Sequence, residues 1–147
     1  MSRGFQVVSA YSNQEIALPR RKTQGSAGYD LAAAETVSIA PGAQAFCPTG
    51  VKAYMPENEV LFVFPRSSLF QKKQLLMTNS VGIIDADYYD NTDNEGHILI
   101  SFVNLGKETA VIAKGERIAQ GVFTTFGIAD GDGEDKEKRN GGFGSTD

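Results

Sequence analysis

One carboxylate in this chain is placed as a general base would be. Asp85 directly follows an apolar isoleucine pair, and it belongs to a segment, 79–88, that is typical of one arm of a hairpin with a polar tip. A carboxylate at the edge of an apolar strand is able to activate water. Tyr88 follows Asp85 closely and offers its ring to a sugar. Turn chemistry is the alternative interpretation of Asp85 and Asp87, because aspartate is common in turns.

A second group has the residue types of a phosphate site. Arg66, Ser67 and Ser68 follow an apolar run that ends at Pro65. A guanidinium and two hydroxyls at a strand end, with the backbone N–H groups of a following helical turn, would suit phosphate oxygens. The alternative is a helix N-cap beside a surface arginine.

The last residues, 139–147, combine glycines with one aromatic ring and several donors. Glycines let a chain lie close to a ligand, and a ring offers a flat face to a base. Arg139, Ser145 and Thr146 offer donors to phosphate oxygens. Residues 130–138 are Gly-rich and charged, which is typical of a flexible linker. The alternative is a Gly-rich tail with no ligand.

Asp30 and Arg117 form the last candidate pair. Asp30 follows Gly28-Tyr29, and Arg117 opens a candidate strand. They would hold a site together if they paired, and the alternative is two exposed surface charges of little energetic value.

Short apolar runs between turn residues must position these groups. Period-two alternation and turn signals predict strands rather than long helices, with a helical turn or two at Ser67–Lys73. The pattern favours an all-β sandwich, jelly roll or barrel in one domain. The predicted strands are 6–8, 37–39, 44–48, 51–54, 59–64, 74–77, 97–104, 109–112 and 117–126.

Composition narrows the function class. The chain has 147 residues, a net charge of −4 and a sequence pI near 5.0, which argues against a broad nucleic-acid surface. No apolar run approaches the roughly 20 residues of a membrane span, and the start lacks a secretion signal. With one cysteine, Cys47, and one histidine, His97, there is no zinc constellation. We expect a cytoplasmic protein with no nucleic-acid or membrane partner.

Five segments in register resemble the trimeric dUTPase family, the deoxyuridine triphosphate nucleotidohydrolases. Each segment alone is weak evidence for the family, but five in the same order are specific. Together they run from residue 27 to the end of the chain and cover most of it. The segments are 27–31 (AGYDL), 66–69 (RSSL), 82–88 (GIIDADY), 114–120 (KGERIAQ) and 139–146 (RNGGFGST).

The resemblance implies an all-β fold, a distorted jelly-roll β-barrel, and a homotrimer with active sites at subunit interfaces. It divides the chain into a barrel at 1–129, a flexible linker at 130–138 and a substrate-closing arm at 139–147. It implies hydrolysis of dUTP to dUMP and pyrophosphate, which would limit uracil in DNA and supply dUMP. Mg²⁺ would be the cofactor, held by the triphosphate and water without direct protein ligands.

The resemblance also implies residue roles. Asp85 would deprotonate a water that attacks the α-phosphorus in line, with Tyr88 under the deoxyribose. Phe143 would stack on uracil. The implied substrate-binding residues are Arg66, Ser67, Ser68, Asn79, Gly82, Ile84, Tyr88, Gln120, Arg139, Phe143, Gly144, Ser145 and Thr146, and the supporting residues are Asp30, Asp87 and Arg117.

Two other functions stay open from the sequence. One is a dCTP deaminase, which shares the fold but uses a glutamate where Asp85 stands. The other is a regulatory binding protein that uses nucleotide as a switch and has a protein partner. The chain also departs from the family pattern at Pro65 and Asp90, and residues 91–96 form an extra stretch after the third segment.

Overall fold

Short strands dominate the computed structural model, which describes residues 2–132 and residue 139. The predicted turns of helix at Ser67–Lys73 are confirmed as α1, and 3₁₀ turns occupy Ser9–Tyr11 and Ala86–Tyr88. The strands are β1 (Gly4–Val7), β2 (Arg20–Arg21), β3 (Tyr29–Ala32), β4 (Val37–Ile39), β5 (Gln44–Pro48), β6 (Val51–Tyr54), β7 (Glu59–Pro65), β8 (Leu75–Met77), β9 (Gly82–Asp85), β10 (Leu99–Asn104), β11 (Ala110–Ile112) and β12 (Arg117–Thr125).

The strands form four small antiparallel sheets around one main core. The largest has the order β2-β3-β12-β7-β9, and the others are β5-β10-β8, β1-β6 and β11-β4. Ile98, Ile100 and Phe102 are almost fully buried, as the alternation around β10 predicts. Cys47 lies among them in the core, where burial raises the pKa of its thiol to about 12. The all-β fold class is therefore confirmed.

The pairing differs from the hairpin interpretation of the third segment. β8 pairs with β10, whereas β9 pairs with β7, so the turn at 78–81 links two sheets. The hairpin interpretation was wrong in this respect, because sequence alternation does not specify strand partners. Residues 1, 133–138 and 140–147 lie outside the described residues, so the division into barrel, linker and arm stays a prediction.

Candidate active site

Asp85 reaches the surface because of its place in β9. The strand alternates inward and outward, so Ile84 is buried and the Asp85 side chain is about half exposed. Asp85 pairs with Val60 at the beginning of β7. The 3₁₀ turn that follows brings Asp87 to the same cleft, whose volume is about 580 Å³.

Arg139 bridges the two aspartates. Its Nη2 donates to Asp85 Oδ2 at 2.5 Å, and its Nε donates to Asp87 Oδ1 at 2.8 Å. The guanidinium carbon lies 5.6 Å from the centre of the Tyr88 ring. The Arg139 side chain is only 9% exposed, so these charge-assisted bonds are partly shielded from water. The sequence placed Arg139 on outer phosphates, whereas here it bonds the two carboxylates.

Tyr88 is more deeply buried than its predicted contact with a sugar suggested. It is 3% exposed, its hydroxyl donates to the carbonyl of His97 at 2.6 Å, and it accepts from Asn94 Nδ2 at 2.9 Å. Burial raises the pKa of Tyr88, while the Asn94 hydrogen bond and the Arg139 charge act in the opposite direction. Tyr88 is therefore fixed in place beside the cleft.

A second group assembles elsewhere from the first, second and fourth segments. Arg117 Nη1 lies 3.3 Å from Asp30 Oδ2, so these two residues do form an ion pair. Arg66 Nη1 donates to the carbonyl of Arg117 at 3.3 Å. Gln120 lies so close to Gly28 that a Cβ there would stand 2.2 Å from Gln120 Oε1. Glycine at position 28 thus makes room for the Gln120 side chain.

The remaining predicted residues take varied positions. Ser67 and Ser68 begin α1, directly after Arg66. Asn79 Nδ2 is 3.7 Å from where a Cβ on Gly82 would lie. Ile84 packs its side chain into the core, so only its backbone can meet a ligand. The other predicted arm residues, Phe143, Gly144, Ser145 and Thr146, lie outside the described residues.

The two groups are not brought together within one chain. Asp85 pairs with Val60 at one end of β7, and Arg66 follows the other end directly. Extended chain rises about 3.3 Å per residue, so Val60 and Arg66 are separated by about 20 Å. An arginine side chain does not extend that far. The side chains of Arg66 and Asp85 of one chain are therefore too far apart to contact each other.

Acidic side chains at the cleft are the candidate ligands for a metal ion. Glu57, Asp85 and Asp87 line the cleft. Arg139 forms ion pairs with both aspartates. Across residues 2–132 and 139, no group of three or more His, Cys, Asp or Glu side chains is arranged to hold a metal. The carboxylate oxygens that line the cleft are of the type that Mg²⁺ binds, so the donor set is compatible with a complex of Mg²⁺ and a triphosphate.

The sequence did not identify the residues that hold Tyr88. Asn94 and the His97 carbonyl contact its hydroxyl, and Asn91 Nδ2 donates to the Tyr88 carbonyl at 2.8 Å. The available signal was the extra stretch at 91–96, which is rich in Asn and Asp. Such side chains commonly hydrogen-bond nearby backbone groups.

Comparison with known proteins identifies the family of this chain. The sequence model of the dUTPase family matches residues 14–147, so the chain belongs to the dUTPase family. A deoxyuridine 5'-triphosphate nucleotidohydrolase of Lactococcus lactis is 57% identical over 145 residues, covering 98% of this chain and 97% of the relative. The corresponding protein of Hahella chejuensis is 40% identical, covering 90% of this chain and 88% of the relative.

Solved structures give the same result for the fold. A dUTPase from Streptococcus mutans superposes with a TM-score of 0.84 and 50% identity, covering 87% of this chain and 99% of that one. A mutant dUTPase from phage phi11 of S. aureus, which coordinates a structural Mg(II) ion, matches with a TM-score of 0.74 and 23% identity, covering 92% of this chain and 98% of that one. At that identity the likeness shows the fold alone. In the described part of the chain no helix has the length and apolarity to cross a membrane.

Proposed function

We propose that this chain hydrolyses dUTP to dUMP and pyrophosphate, in the cytoplasm, in a site shared between copies of a homotrimer. The observation that carries the proposal is the half-exposed Asp85 at a cleft, in a chain that belongs to the dUTPase family. The cytoplasmic assignment is supported by the unpaired, buried Cys47.

Asp85 is proposed as the general base. It takes a proton from water as the water oxygen bonds to the α-phosphorus, and the bond from that phosphorus to the bridging oxygen breaks to release pyrophosphate. General-base help of this kind contributes about 10²–10⁴-fold. Magnesium held by the triphosphate and water would offset charge on the phosphate oxygens.

Arg139 and Arg66 are proposed as the cationic residues of the site. Arg139 bonds Asp85 and Asp87, so a polyanionic triphosphate entering the cleft would compete for the same guanidinium. Transfer of Arg139 to the phosphates would leave Asp85 free to accept a proton. Preorganised cations that meet charge as it develops supply a large share of catalysis.

The shared site is supported by the separation along β7. Arg66 with Ser67 and Ser68 stands about 20 Å from Asp85 on the same chain, so a neighbouring copy would supply the phosphate-binding group. Asn79, the backbone of Gly82 and Ile84, and the Tyr88 ring would hold the deoxyuridine, with Phe143 closing over uracil. Gln120, Gly144, Ser145 and Thr146 would complete the phosphate contacts, while Asp30, Asp87 and Arg117 support them.

A substrate panel tests the proposal. Purified protein with Mg²⁺ is incubated with dUTP, dCTP, dTTP and UTP, and pyrophosphate and ammonia are measured. We expect pyrophosphate from dUTP far faster than from the others. Ammonia from dCTP would instead identify a deaminase, and tight dUTP binding without turnover would identify a nucleotide-switched binding protein.

A further inference from the structure

The extra stretch after the third segment is an ordered loop, which we call the 90–96 loop. The Oδ1 of Asn91 accepts the backbone N–H groups of Asp93 at 2.9 Å and Asn94 at 3.0 Å. Asn91 Nδ2 donates to Asn94 Oδ1 at 2.9 Å, and Asn94 Oδ1 also accepts the Gly96 N–H at 3.1 Å. These bonds fix the orientation of the Asn94 amide, because its oxygen accepts both hydrogen bonds from within the loop and its nitrogen therefore points away from those donors.

The loop is pressed against the backbone of Tyr88. Gly96 has φ +89°, and a Cβ on it would stand 2.8 Å from the Tyr88 carbonyl oxygen. Few residues other than glycine fit there, since both the conformation and the space exclude a side chain. The loop therefore cannot move away without breaking the Asn91 bond to the same carbonyl.

Ion pairs fix the outer side of the loop. The ammonium of Lys52, on β6, bonds Asp90 and also Glu95, the latter at 2.7 Å. Glu95 also accepts the backbone N–H of Ser9. The hydrogen bond from Lys52 holds the pKa of Glu95 below its usual value. The loop is thus attached to β6 and to the 3₁₀ turn that begins at Ser9.

We infer that Asn94 is a positioning residue for Tyr88 and, through it, for discrimination between 2′-deoxy and 2′-hydroxy nucleotides. Asn94 Nδ2 and the His97 carbonyl satisfy the Tyr88 hydroxyl from two sides. A shift of the buried ring would leave these groups unpaired, which is unfavourable. The inference rests on the proposed function, in which the Tyr88 ring lies beneath the sugar and leaves no room for a 2′-hydroxyl.

The Asn94→Asp variant tests this directly. It preserves the oxygen that accepts from Asn91 and Gly96, replaces the donor to Tyr88 by an acceptor oxygen, and adds one negative charge. We expect kcat/KM for UTP relative to dUTP to rise about three- to ten-fold, the loss expected for one buried hydrogen bond. The matched control is Asn13→Asp, which makes the same charge change at an exposed turn and should leave the ratio unchanged.

A second variant tests the hydrogen bond between Asn94 and Tyr88 by changing Tyr88 instead of Asn94. Tyr88→Phe removes the Asn94 bond and the His97 carbonyl bond together, so it should raise the UTP to dUTP ratio by at least the same factor, and Asn94→Asp should add nothing further in that background. If Asn94→Asp does not fold, the same ratio is measured in Asn94→Ser, which also removes the amide donor to Tyr88 and adds no charge. If the wild type prefers dUTP and the variant has the same UTP to dUTP ratio as the wild type, the role of Asn94 is overturned. A wild type that does not hydrolyse dUTP overturns the proposed function instead.

Discussion

Arg139 lies with its Nη2 2.5 Å from Asp85 Oδ2, so the proposed base forms an ion pair with the first residue of the predicted arm. The same guanidinium bonds Asp87, and the three groups form one charged cluster at the cleft. Two carboxylates sharing one cation leave the cluster with a net negative charge. An anionic substrate would have to displace that arrangement.

Asp85→Asn and Asp87→Asn form a matched pair. Each removes one carboxylate from Arg139, but only the first removes the proposed base. We expect kcat for dUTP to fall about 10²–10⁴-fold in Asp85→Asn and less than ten-fold in Asp87→Asn. Steady-state kinetics measure kcat, and binding of a non-hydrolysable dUTP analogue should persist in both. Equal losses would assign both residues the same supporting role.

Arg139→Lys should lower kcat/KM by about ten-fold or more. A lysine supplies one point charge in place of a planar fork, so it cannot bond two carboxylates or two phosphate oxygens in the same way. Deleting residues 139–147 should cause a larger loss. Size-exclusion chromatography with light scattering should show trimers for both variants. Collapse of the truncated protein to monomers would mean that the arm maintains the assembly.

Gly28→Ala should affect activity more than folding. The added Cβ would meet the end of the flexible Gln120 side chain, which is able to swing aside. Gln120 would then leave its place against Gly28, and we expect KM for dUTP to rise several-fold with little change in thermal midpoint. Gly25→Ala is the control, because open space surrounds that position. A KM change of equal size in both variants would exclude Gln120 as the cause.

Stability should fall on mild acidification because of His97. Its Nε2 accepts the Gly50 N–H at 2.9 Å, and burial holds the pKa of His97 below its ordinary value of 6.5. The unfolded chain therefore binds the proton first, so stability is lost as pH falls from 6.5 toward the lower folded pKa. The slope for one proton is at most about 1.4 kcal/mol per pH unit.

Urea unfolding at several pH values measures that slope. The carboxylates whose pKa is lowered, Glu59, Glu95 and Glu116, have an ordinary value of 4.5, so their contribution is lost only at lower pH. His97→Gln keeps an acceptor for Gly50 and should flatten the curve just below pH 6.5. An identical slope in the variant would remove His97 as the source.

Local pattern predicted much of the fold but not its pairing. The bounds of β4, β5 and β6 were predicted correctly, because apolar alternation between turn residues is a local signal. β2 was missed, since Arg20 and Arg21 carry no apolar periodicity. The partner of β9 is β7, which is distant in the sequence, so the residues of β9 alone do not predict the pairing.

The sequence proposes which residues compose the candidate site, but it does not determine their geometry. The five segments predicted Asp85, Arg66 and Arg139 by residue type and order. That Tyr88 is bonded by Asn94 depends on a loop whose conformation comes from its own amide network. That Arg66 lies at the opposite end of β7 from Asp85 follows from the strand register, which residue spacing does not fix.

The most direct test of the account is the activity of mixed trimers. Asp85→Asn and Arg66→Gln chains are co-expressed with different tags, and trimers that carry both tags are purified. If each site takes Asp85 from one copy and Arg66 from a neighbour, every mixed trimer contains one intact site of its three. We predict about one third of wild-type dUTP turnover from two variants that are each nearly inactive alone. Mixed trimers no more active than the parents would contradict the shared site.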